Sequence, residues 1–433
     1  MNATSTTTPR ERLAALADDD RFVEHERHTP SANLARFGID AQDDDGIVAA
    51  TLTIGGRAFE AVAQDPRFLG GSVGERHGMK LAAAIARAVD ARRPFLVLAA
   101  SAGVRLHEAN GGELSLGRAL KGLCDARAGG LATFAIGVGD VFGGMSVFAA
   151  ACGALALLPE ARFGLSGPQV IALSRGRGEL DPADRAAVAA LFGAPARAED
   201  GVAEIVDGAP ASMRAWIAAR EATAVPFAEA MARAQARLAA AAPPVAAGPT
   251  LDVEGARAVL APFVGDVTAQ ELIGVDAALR ALPRGVTTLV IVEHSRGHAA
   301  SAAAERVALS RYFAHHALVL AELRARGVAI VGVVDGVGHS AAFFANALQA
   351  PFLCALDTAR VIAMDPAAIA RVTRLDAARV GALIESDPLL GQPVRCFAHS
   401  GGVAEIRSVI DDSTLSELVA QASAGSGVSE LRG

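Results

Sequence analysis

The chain has 433 residues, of which 52% are hydrophobic and 20% charged, so it can hold two domains and is too apolar for global disorder. Its net charge is −7 and no Lys/Arg cluster with interleaved aromatic residues occurs, which argues against a nucleic-acid partner. The four cysteines form no Cys-x-x-Cys pair, so neither a zinc ribbon nor a redox motif is indicated. Residues 1–10 are polar and lack the apolar segment of a signal peptide, and we therefore expect a cytoplasmic protein.

Predicted strands and helices alternate along the first half of the chain. A pair of strands around the turn Gly55-Gly56 comes first, and the alternation that follows is typical of a parallel sheet covered by helices. The predicted elements are strands at Ile47–Ile54, Ala58–Ala63, Pro94–Ala100 and Leu131–Ile136, and helices at Ser72–Asp90, Gly117–Ala128 and Val147–Leu158.

An uncharged stretch, Val141–Pro159, is nearly long enough to span a bilayer. Gly and Ala dominate it instead of Leu and Ile, and its counterpart in the second half carries His339 and Asn346. We therefore expect a core helix behind the sheet and no membrane association.

The second half repeats the order of the first. Gly402–Ile406 matches Gly201–Ile205 residue for residue, and residues 239–250, rich in Pro and Ala, are predicted to be a linker. We therefore expect an α/β protein with two domains related by internal duplication, at 1–238 and 251–433. The predicted second-half elements are strands at Thr287–Val292, Val328–Val334, Phe352–Leu356 and Ala359–Ala363, and helices at Ala303–Arg326 and Ala341–Leu348.

Each half has two glycine-containing turns directly after predicted strands. Ser101–Arg105 and Ile136–Ser146 lie in the first half, and Glu293–His298 and Gly336–Phe343 are their counterparts. The carboxyl ends of parallel strands share one edge of a sheet, so two such turns can aim backbone N–H groups at one point and form an oxyanion hole. The expected contributors are Gly103, Gly143, Gly144, Gly297, Ala341 and Ala342.

The sequence Gly-His-Ser-Ala-Ala around Ser340 is close to a nucleophile elbow, with Asp365 and His399 following in a workable order. The first half has Phe142 where Ser340 falls, which argues against a nucleophile at this turn. His339 could instead donate to the substrate, protonate a substrate carbon or cap the following helix.

Two histidines four residues apart, His294 and His298, invite comparison with a metal site. No third ligand is recognisable and the segment is predicted to be a loop, so we expect no metal.

The stretch Ala100-Ser-Ala-Gly-Val-Arg resembles the Ser-Gly-Gly-Ala-Arg turn of carboxyltransferase subunits, although Ala102 replaces a glycine. Val138-Gly-Asp-Val-Phe-Gly-Gly resembles their second oxyanion turn. Residues up to Asp207 are similar to the β subunit of biotin-independent malonate decarboxylases, and residues from 251 onward to the γ subunit. The resemblance covers nearly the whole chain and implies two facing crotonase-like (ββα spiral) domains, as in a β–γ fusion.

This resemblance implies decarboxylation of a malonyl thioester to an acetyl thioester and CO₂. The substrate would arrive on a CoA-derived prosthetic group of an acyl-carrier subunit, with no cofactor covalently bound to this chain and no metal. An acyl-carrier transferase (α) subunit would be a further partner, and the family leaves room for a homo-oligomer. Ser101, Val104 and Arg105 would contact the carrier arm, and His339 or Ser340 would be available to protonate the enolate.

Three alternatives stay open at this point. The chain could be the carboxyltransferase of a biotin-dependent malonate decarboxylase or acyl-CoA carboxylase. It could be a serine acyltransferase or hydrolase that uses Ser340. One half could also be a scaffold that only docks the carrier.

Overall fold

Two large sheets form the frame of the protein in the computed structural model, which describes residues 7–242 and 248–423. The first half contains seven strands, which are β1 (Phe22–His25), β2 (Ile47–Ile54), β3 (Arg57–Gln64), β4 (Phe95–Ser101), β5 (Thr133–Val141), β6 (Ala154–Leu157) and β7 (Glu204–Ile205). Its helices are α1 (Pro9–Leu16), α2 (Glu75–Asp90), α3 (Ala109–Ala128), α4 (Gly144–Ala150), α5 (Pro168–Arg175), α6 (Arg185–Phe192), α7 (Ala194–Glu199), α8 (Pro210–Ala222) and α9 (Phe227–Ala241).

The second half follows a similar order of elements, without counterparts of α1 and β1 and with two additional short strands. Its strands are β8 (Leu251–Glu254), β9 (Arg257–Leu260), β10 (Thr288–Glu293), β11 (Ala329–Val334), β12 (Val337–His339), β13 (Phe352–Leu356), β14 (Arg360–Ile362) and β15 (Glu405–Arg407). Its helices are α10 (Ala269–Arg280), α11 (Ala302–Arg306), α12 (Leu309–Ala325), α13 (Ser340–Ala345), α14 (Pro366–Thr373), α15 (Ala377–Ser386), α16 (Val394–His399) and α17 (Asp412–Ser423).

The two sheets share one topology. The first sheet has the strand order β1-β2-β3-β4-β5-β6-β7 and the second the order β8-β9-β10-β11-β13-β15, with β12 and β14 as a separate parallel pair. In each half an antiparallel hairpin, β2–β3 or β8–β9, is followed by parallel neighbours. This shared order is what the predicted internal duplication requires.

The predicted helix Val147–Leu158 is wrong for most of its length. Helix α4 ends at Ala150, and the chain turns at Gly153, whose N–H donates to Oγ1 of Thr133 at 2.8 Å, before it enters strand β6. The uncharged stretch is therefore a short helix and a buried strand. No helix in the described part of the chain has the length and apolar character needed to cross a membrane.

Other predicted boundaries also differ from the structure. Helix α3 begins at Ala109 instead of Gly117, and strand β5 continues to Val141, through the first residues of the predicted turn Ile136–Ser146. The predicted helix Ala303–Arg326 is broken at Ala308, whose φ angle of 50° is left-handed, so α11 and α12 are separate. Helix α9 continues to Ala241, so the first residues of the predicted linker 239–250 are helical. Residues 243–247 of this linker lie outside the described residues, and the domain boundaries stay a prediction.

The halves share one hydrophobic core, and helix α3 lies where they join. Gly117 of α3 faces Leu348 and Phe344 of the second half, so that a Cβ atom added there would lie 2.5 Å from Cδ2 of Leu348. Near the carboxyl end of α3, Oδ1 of Asp125 accepts a hydrogen bond from Arg324 of helix α12 at 2.6 Å. The joint is thus formed by close packing that an ion pair supplements.

A matched pair of substitutions in α3 tests this packing. Gly117→Ala should lower the free energy of unfolding by about 1–3 kcal/mol, because Leu348 has to move away from the added methyl group. Gly122→Ala is the control, since its Cβ would meet Ile85 at an ordinary 3.6 Å, and it should be neutral or stabilising by up to about 1 kcal/mol. Urea denaturation measures both, and equal effects would contradict the tight joint.

Candidate functional site

Two glycine turns touch where strands β4 and β5 of the first half end. Gly103 and Gly143 have φ angles of 98° and 61°, in the left-handed region that favours glycine. A Cβ atom added at Gly143 would lie 2.9 Å from the Cα of Gly103, so a side chain there would push the turns apart. The structure therefore brings the two predicted turns of this half together.

The N–H groups of these two glycines are already used inside the protein. That of Gly143 donates to the carbonyl oxygen of Leu165 at 3.0 Å. That of Gly103 donates to Oγ of Ser101 at 3.2 Å. The expectation that both glycines offer their own amides to a ligand is therefore wrong for this conformation, and each glycine shapes its turn instead.

The residues that follow these two glycines, Val104 and Gly144, have backbone N–H groups that are free to bind a ligand. Among the hydrogen bonds of the described residues, none is donated by either of these two N–H groups. Val104 and Gly144 are both half-buried. A ligand can therefore reach them, and the protein would shield part of that ligand from bulk water. Two unoccupied amides thus flank the point where the turns touch.

The second half repeats this arrangement with a histidine at one turn. Gly297 has a φ angle of 89°, and its carbonyl accepts a hydrogen bond from the N–H of Val267. His339 precedes helix α13 as Gly143 precedes α4, so Ser340 corresponds to Gly144 and the expected match of Ser340 with Phe142 is wrong. A Cβ atom added at Gly297 would lie 2.9 Å from Nδ1 of His339. The predicted pairing of Gly297 with the His339 turn is therefore present.

Several N–H groups of this second pair of turns are also free. Ala341 and Ala342, both predicted donors, give no hydrogen bond to any other described residue, and the same holds for Ser340 and His298. Ser340 has a left-handed φ of 51°, an uncommon conformation outside glycine that indicates a tightly constrained turn.

The imidazole of His339 has a defined orientation. Its Nδ1 lies 2.7 Å from the carbonyl oxygen of Arg296, which can only accept, so Nδ1 carries the proton. Burial lowers the pKa of His339 below its ordinary value, although this hydrogen bond and the nearby Asp365 and Asp266 oppose the shift. The ring is therefore neutral at neutral pH, and its Nε2 presents a lone pair, which suits accepting a hydrogen bond better than delivering a proton.

Glu305, from the second half, holds the segment that supports the first-half turns. Its carboxylate accepts the N–H groups of Leu165 and Ser166 at 3.1 and 2.6 Å. Arg197 donates to the carbonyl oxygen of Glu305 at 2.8 Å and lies 3.4 Å from Oε2. Since the carbonyl of Leu165 accepts the N–H of Gly143, a side chain of one half sets the turn of the other.

A Ser–His contact joins the two pairs of turns. Oγ of Ser166 lies 3.0 Å from Nε2 of His298, whose backbone belongs to the second-half turn. Burial, with a smaller contribution from His339, lowers the pKa of His298 to about 4, so this ring is neutral at neutral pH. The two candidate oxyanion sites therefore lie on either side of one short segment.

Both parts of the chain match known families. Residues 2–207 match the carboxyl transferase domain, and residues 265–432 match the malonate decarboxylase gamma subunit. The chain belongs to the carboxyltransferase family. The resemblance of the sequence predicts that one chain combines a carboxyl transferase domain with a malonate decarboxylase gamma domain. The two matches confirm that prediction.

Individual relatives agree with this family assignment. A Pseudomonas malonate decarboxylase hetero-tetramer, solved in complex with malonate, contains a chain that is 31% identical, with a TM-score of 0.50 over 56% of this chain and 94% of that chain. The malonyl-S-ACP:biotin-protein carboxyltransferase of Malonomonas rubra is 34% identical over 42% of this chain and 63% of its own length. The acetyl-coenzyme A carboxylase carboxyl transferase subunit beta of Fusobacterium nucleatum is 29% identical over 37% of this chain and 57% of its own length.

The chain therefore spans less than two thirds of the length of these two curated relatives. The likeness to the solved decarboxylase chain confirms the predicted mixed α/β, crotonase-like carboxyltransferase fold. The protein is a carboxyltransferase-family enzyme related to malonate decarboxylase subunits.

Arg105, predicted to contact the carrier arm, has a structural role in this carboxyltransferase. Only 1% of its side chain is exposed, and its Nη1 donates to Asp45 at 2.6 Å and to Glu108 at 2.9 Å. Ser101 is equally enclosed and accepts the N–H of Gly103. Neither side chain has a surface for a ligand, so the predicted contacts of Arg105 and Ser101 with the arm are corrected, and Val104 alone stays accessible.

The nucleophile partners suggested for Ser340 are not assembled. Asp365 caps helix α14, where it accepts the N–H groups of Ala367 and Ala368. His399 lines a separate cavity of about 390 Å³, and no hydrogen bond between described residues joins it to Ser340. The order of these residues in the sequence thus does not produce a triad.

The two histidines that suggested a metal point in different directions. Nδ1 of His294 would lie 2.4 Å from a Cβ atom added at Gly336, whereas His298 contacts Ser166. Within residues 7–242 and 248–423, no three His, Cys, Asp or Glu side chains are grouped as metal ligands.

A larger cavity, of about 620 Å³, lies at the opposite edge of the first sheet. Thr133 at the start of β5, Ala154 at the start of β6 and Glu204 of β7 line it. Ligands of parallel sheets bind at the carboxyl ends of the strands, where the turns are, so this cavity is not part of the candidate site.

A buried polar chain supports the second-half turn, and the sequence did not predict it. Asp276 contacts Nδ1 of His316 at 2.6 Å, Nε2 of His316 contacts Asn346 at 3.0 Å, and Asn346 donates to Glu293 at 2.9 Å. Glu293 also accepts a hydrogen bond from the hydroxyl of Ser295, within the turn Glu293–His298, at 2.8 Å. Polar residues inside apolar segments were the available signal, but only the fold shows that they join.

The pH dependence of stability tests the role of Glu305. Burial, its largest cause, raises the pKa of Glu305 to about 7, so folding favours the protonated form. The stability that this preference contributes is present below the ordinary pKa of 4.5 and is lost as pH rises through about 7. Between about pH 4.5 and pH 7 the free energy of unfolding of the unmodified chain should fall as Glu305 ionises. In Glu305→Gln this fall should be smaller by about 2–4 kcal/mol.

Urea denaturation at both ends of this pH range gives the measurement. Glu160→Gln is the control, because Glu160 is an exposed carboxylate on the same half as the supported turn. An unchanged pH slope in Glu305→Gln would contradict the assignment.

Proposed function

We propose that the chain decarboxylates a malonyl thioester carried on an acyl-carrier subunit, releasing CO₂ and leaving the acetyl thioester. The observation that carries this proposal is the pair of free amides at Val104 and Gly144, beside touching turns at the carboxyl ends of two parallel strands. A thioester oxygen between them would accept two N–H hydrogen bonds. The match of the two parts to the carboxyl transferase and malonate decarboxylase gamma families supports a malonyl substrate.

The chemistry requires stabilisation of negative charge on one oxygen. The bond between the α-carbon and the carboxylate breaks, and its electron pair enters the thioester as an enolate while CO₂ leaves. Amides at Val104 and Gly144 would bind the enolate oxygen more strongly than the neutral carbonyl, and each such donor is worth about 10²–10³ in rate. The α-carbon then takes up one proton to complete the acetyl group.

The proposed partners follow from the chemistry of the substrate. A thioester on the CoA-derived arm of a carrier belongs to the substrate, so the chain needs no covalently bound cofactor for this step. The related Pseudomonas decarboxylase is a hetero-tetramer, which supports association of this chain with other subunits. The proposed partners are an acyl-carrier subunit and an acyl-carrier transferase subunit. A homo-oligomer is compatible with the same proposal.

Carboxyl transfer to a biotin protein is the second candidate function. One observation favours it: the Malonomonas rubra relative, 34% identical, is a malonyl-S-ACP:biotin-protein carboxyltransferase. The second pair of turns, with free amides at Ser340 and Ala341, could then bind the carbonyl oxygen of biotin. The enolate step in the first half would be the same, and only the fate of the CO₂ would differ.

Incubation of the purified chain with malonyl-carrier thioester, with and without a biotinyl carrier protein, separates these functions. We expect CO₂ and acetyl-carrier thioester without biotin, and no effect of avidin. Turnover that requires the biotinyl protein and stops with avidin would establish the second candidate. No loss of malonyl thioester under either condition would refute both functions.

A matched pair at Gly144 tests the oxyanion site. Gly144→Pro removes the N–H at the first residue of α4, a helix position where proline is tolerated. Gly144→Ala keeps the N–H and places the same Cβ atom near Leu116, at 2.8 Å, so it controls for the steric effect. The turnover number of the proline variant should be about 10²–10³ lower than that of the alanine variant. Equal turnover numbers would exclude this amide from catalysis.

A further inference from the structure

Helix α3 carries one buried carboxyl group that contacts no polar partner. Glu113 is 2% exposed, and its Oε2 is enclosed without a hydrogen bond to any described residue. Other enclosed glutamates are satisfied: Glu108 pairs with Arg105, and Glu293 accepts two hydrogen bonds. A buried polar group left unsatisfied is rare in folded proteins and is often retained for a functional reason.

The surroundings keep this carboxyl group neutral. Burial raises the pKa of Glu113 to about 8, and burial is the one cause of the shift. Ionisable side chains flank the start of α3, but none contributes to the shift of this pKa; they are Glu75, Arg105, His107, Glu108 and His399. A protonated carboxyl group at neutral pH can donate its proton, as an ionised one cannot.

The position of Glu113 along the helix directs it toward the proposed oxyanion site. Gly112 is so close to Val104 that an added Cβ atom would lie 3.2 Å from its Cγ1, and Leu116 would lie 2.8 Å from a Cβ atom at Gly144. Residues three apart on a helix share a face, so Glu113 lies one turn before Leu116 on the same side. The helix thus places this acid on the side of α3 whose Leu116 packs against Gly144, while Gly112, the residue before the acid, packs against the side chain of Val104.

We propose that Glu113 is the catalytic acid that protonates the α-carbon of the enolate formed at Val104 and Gly144. The O–H bond of Glu113 breaks, a C–H bond forms at the α-carbon, and the electron pair of the enolate returns to the thioester carbonyl. The carboxylate that remains takes its next proton from water. This assignment rests on the proposed decarboxylation, and it goes beyond it by naming the proton donor.

Water has a route to the start of the helix. A cavity of about 390 Å³ is lined by Glu75, Leu389 and His399. Glu75 contacts the helix at Gly111, where an added Cβ atom would lie 3.0 Å from its own Cβ. Asn110 donates to the carbonyl of Leu389 at 3.0 Å on the other side. The cavity therefore lies beside Asn110 and Gly111, which precede Glu113 by three and two positions in the helix.

The test compares Glu113→Gln, which keeps the shape and removes the acid, with the unmodified chain. Protonation of the α-carbon should slow by about 10²–10⁴ in the variant. The step can be measured without CO₂ release by incubating the enzyme with acetyl-carrier thioester in D₂O. NMR then follows the replacement of the methyl hydrogens by deuterium. The turnover number of the unmodified chain should also decline above about pH 8, as Glu113 ionises, and that decline should vanish in Glu113→Gln.

Glu113→Ala provides a second measurement should Gln disturb the fold. The cavity that it leaves should allow formate or acetate at high concentration to restore part of the lost exchange rate. Unchanged methyl exchange and an unchanged pH profile in folded Glu113→Gln would overturn the assignment of Glu113. Absence of CO₂ release in the unmodified chain would instead refute the proposed decarboxylation, while the exchange measurement still tests the acid.

Discussion

The hydrogen bonds to the Glu305 carboxylate support the first-half site. They satisfy two backbone N–H groups, of Leu165 and Ser166, that would otherwise be buried without partners. The same segment presents its Leu165 carbonyl to Gly143, which leaves the next amide, at Gly144, unoccupied. A donor aimed at a developing charge is effective only when it is held in advance, and here the other half of the chain holds it.

The two pairs of turns have become chemically different. The first is surrounded by apolar groups such as Leu116 and Phe344, where an N–H group interacts strongly with an oxyanion because little water competes. The second carries His298 and His339 and rests on a buried polar chain that ends at Ser295. This difference agrees with the proposal that the first pair of turns binds the enolate and the second a polar group of the same substrate or of a partner.

Local patterns predicted the frame of the protein but not the connections within it. The predicted strand Phe352–Leu356 is confirmed to the residue, and Pro94–Ala100 is one residue from the observed strand, because continuous apolar runs bounded by turns are distinctive. Val147–Leu158 failed since a run of Ala and Leu does not distinguish a buried helix from a strand. The occupancy of each amide depends on distant residues, and Glu305, beside Arg306, resembles an ordinary surface charge.

The close contact of Gly117 with Leu348 has a consequence for assembly. Because both sides of this joint belong to one polypeptide, their association is intramolecular and does not weaken on dilution. Separate subunits would form the same joint only above a threshold concentration. Every copy of this chain that folds therefore contains both pairs of turns in a one-to-one ratio, without any need to match the expression of two genes.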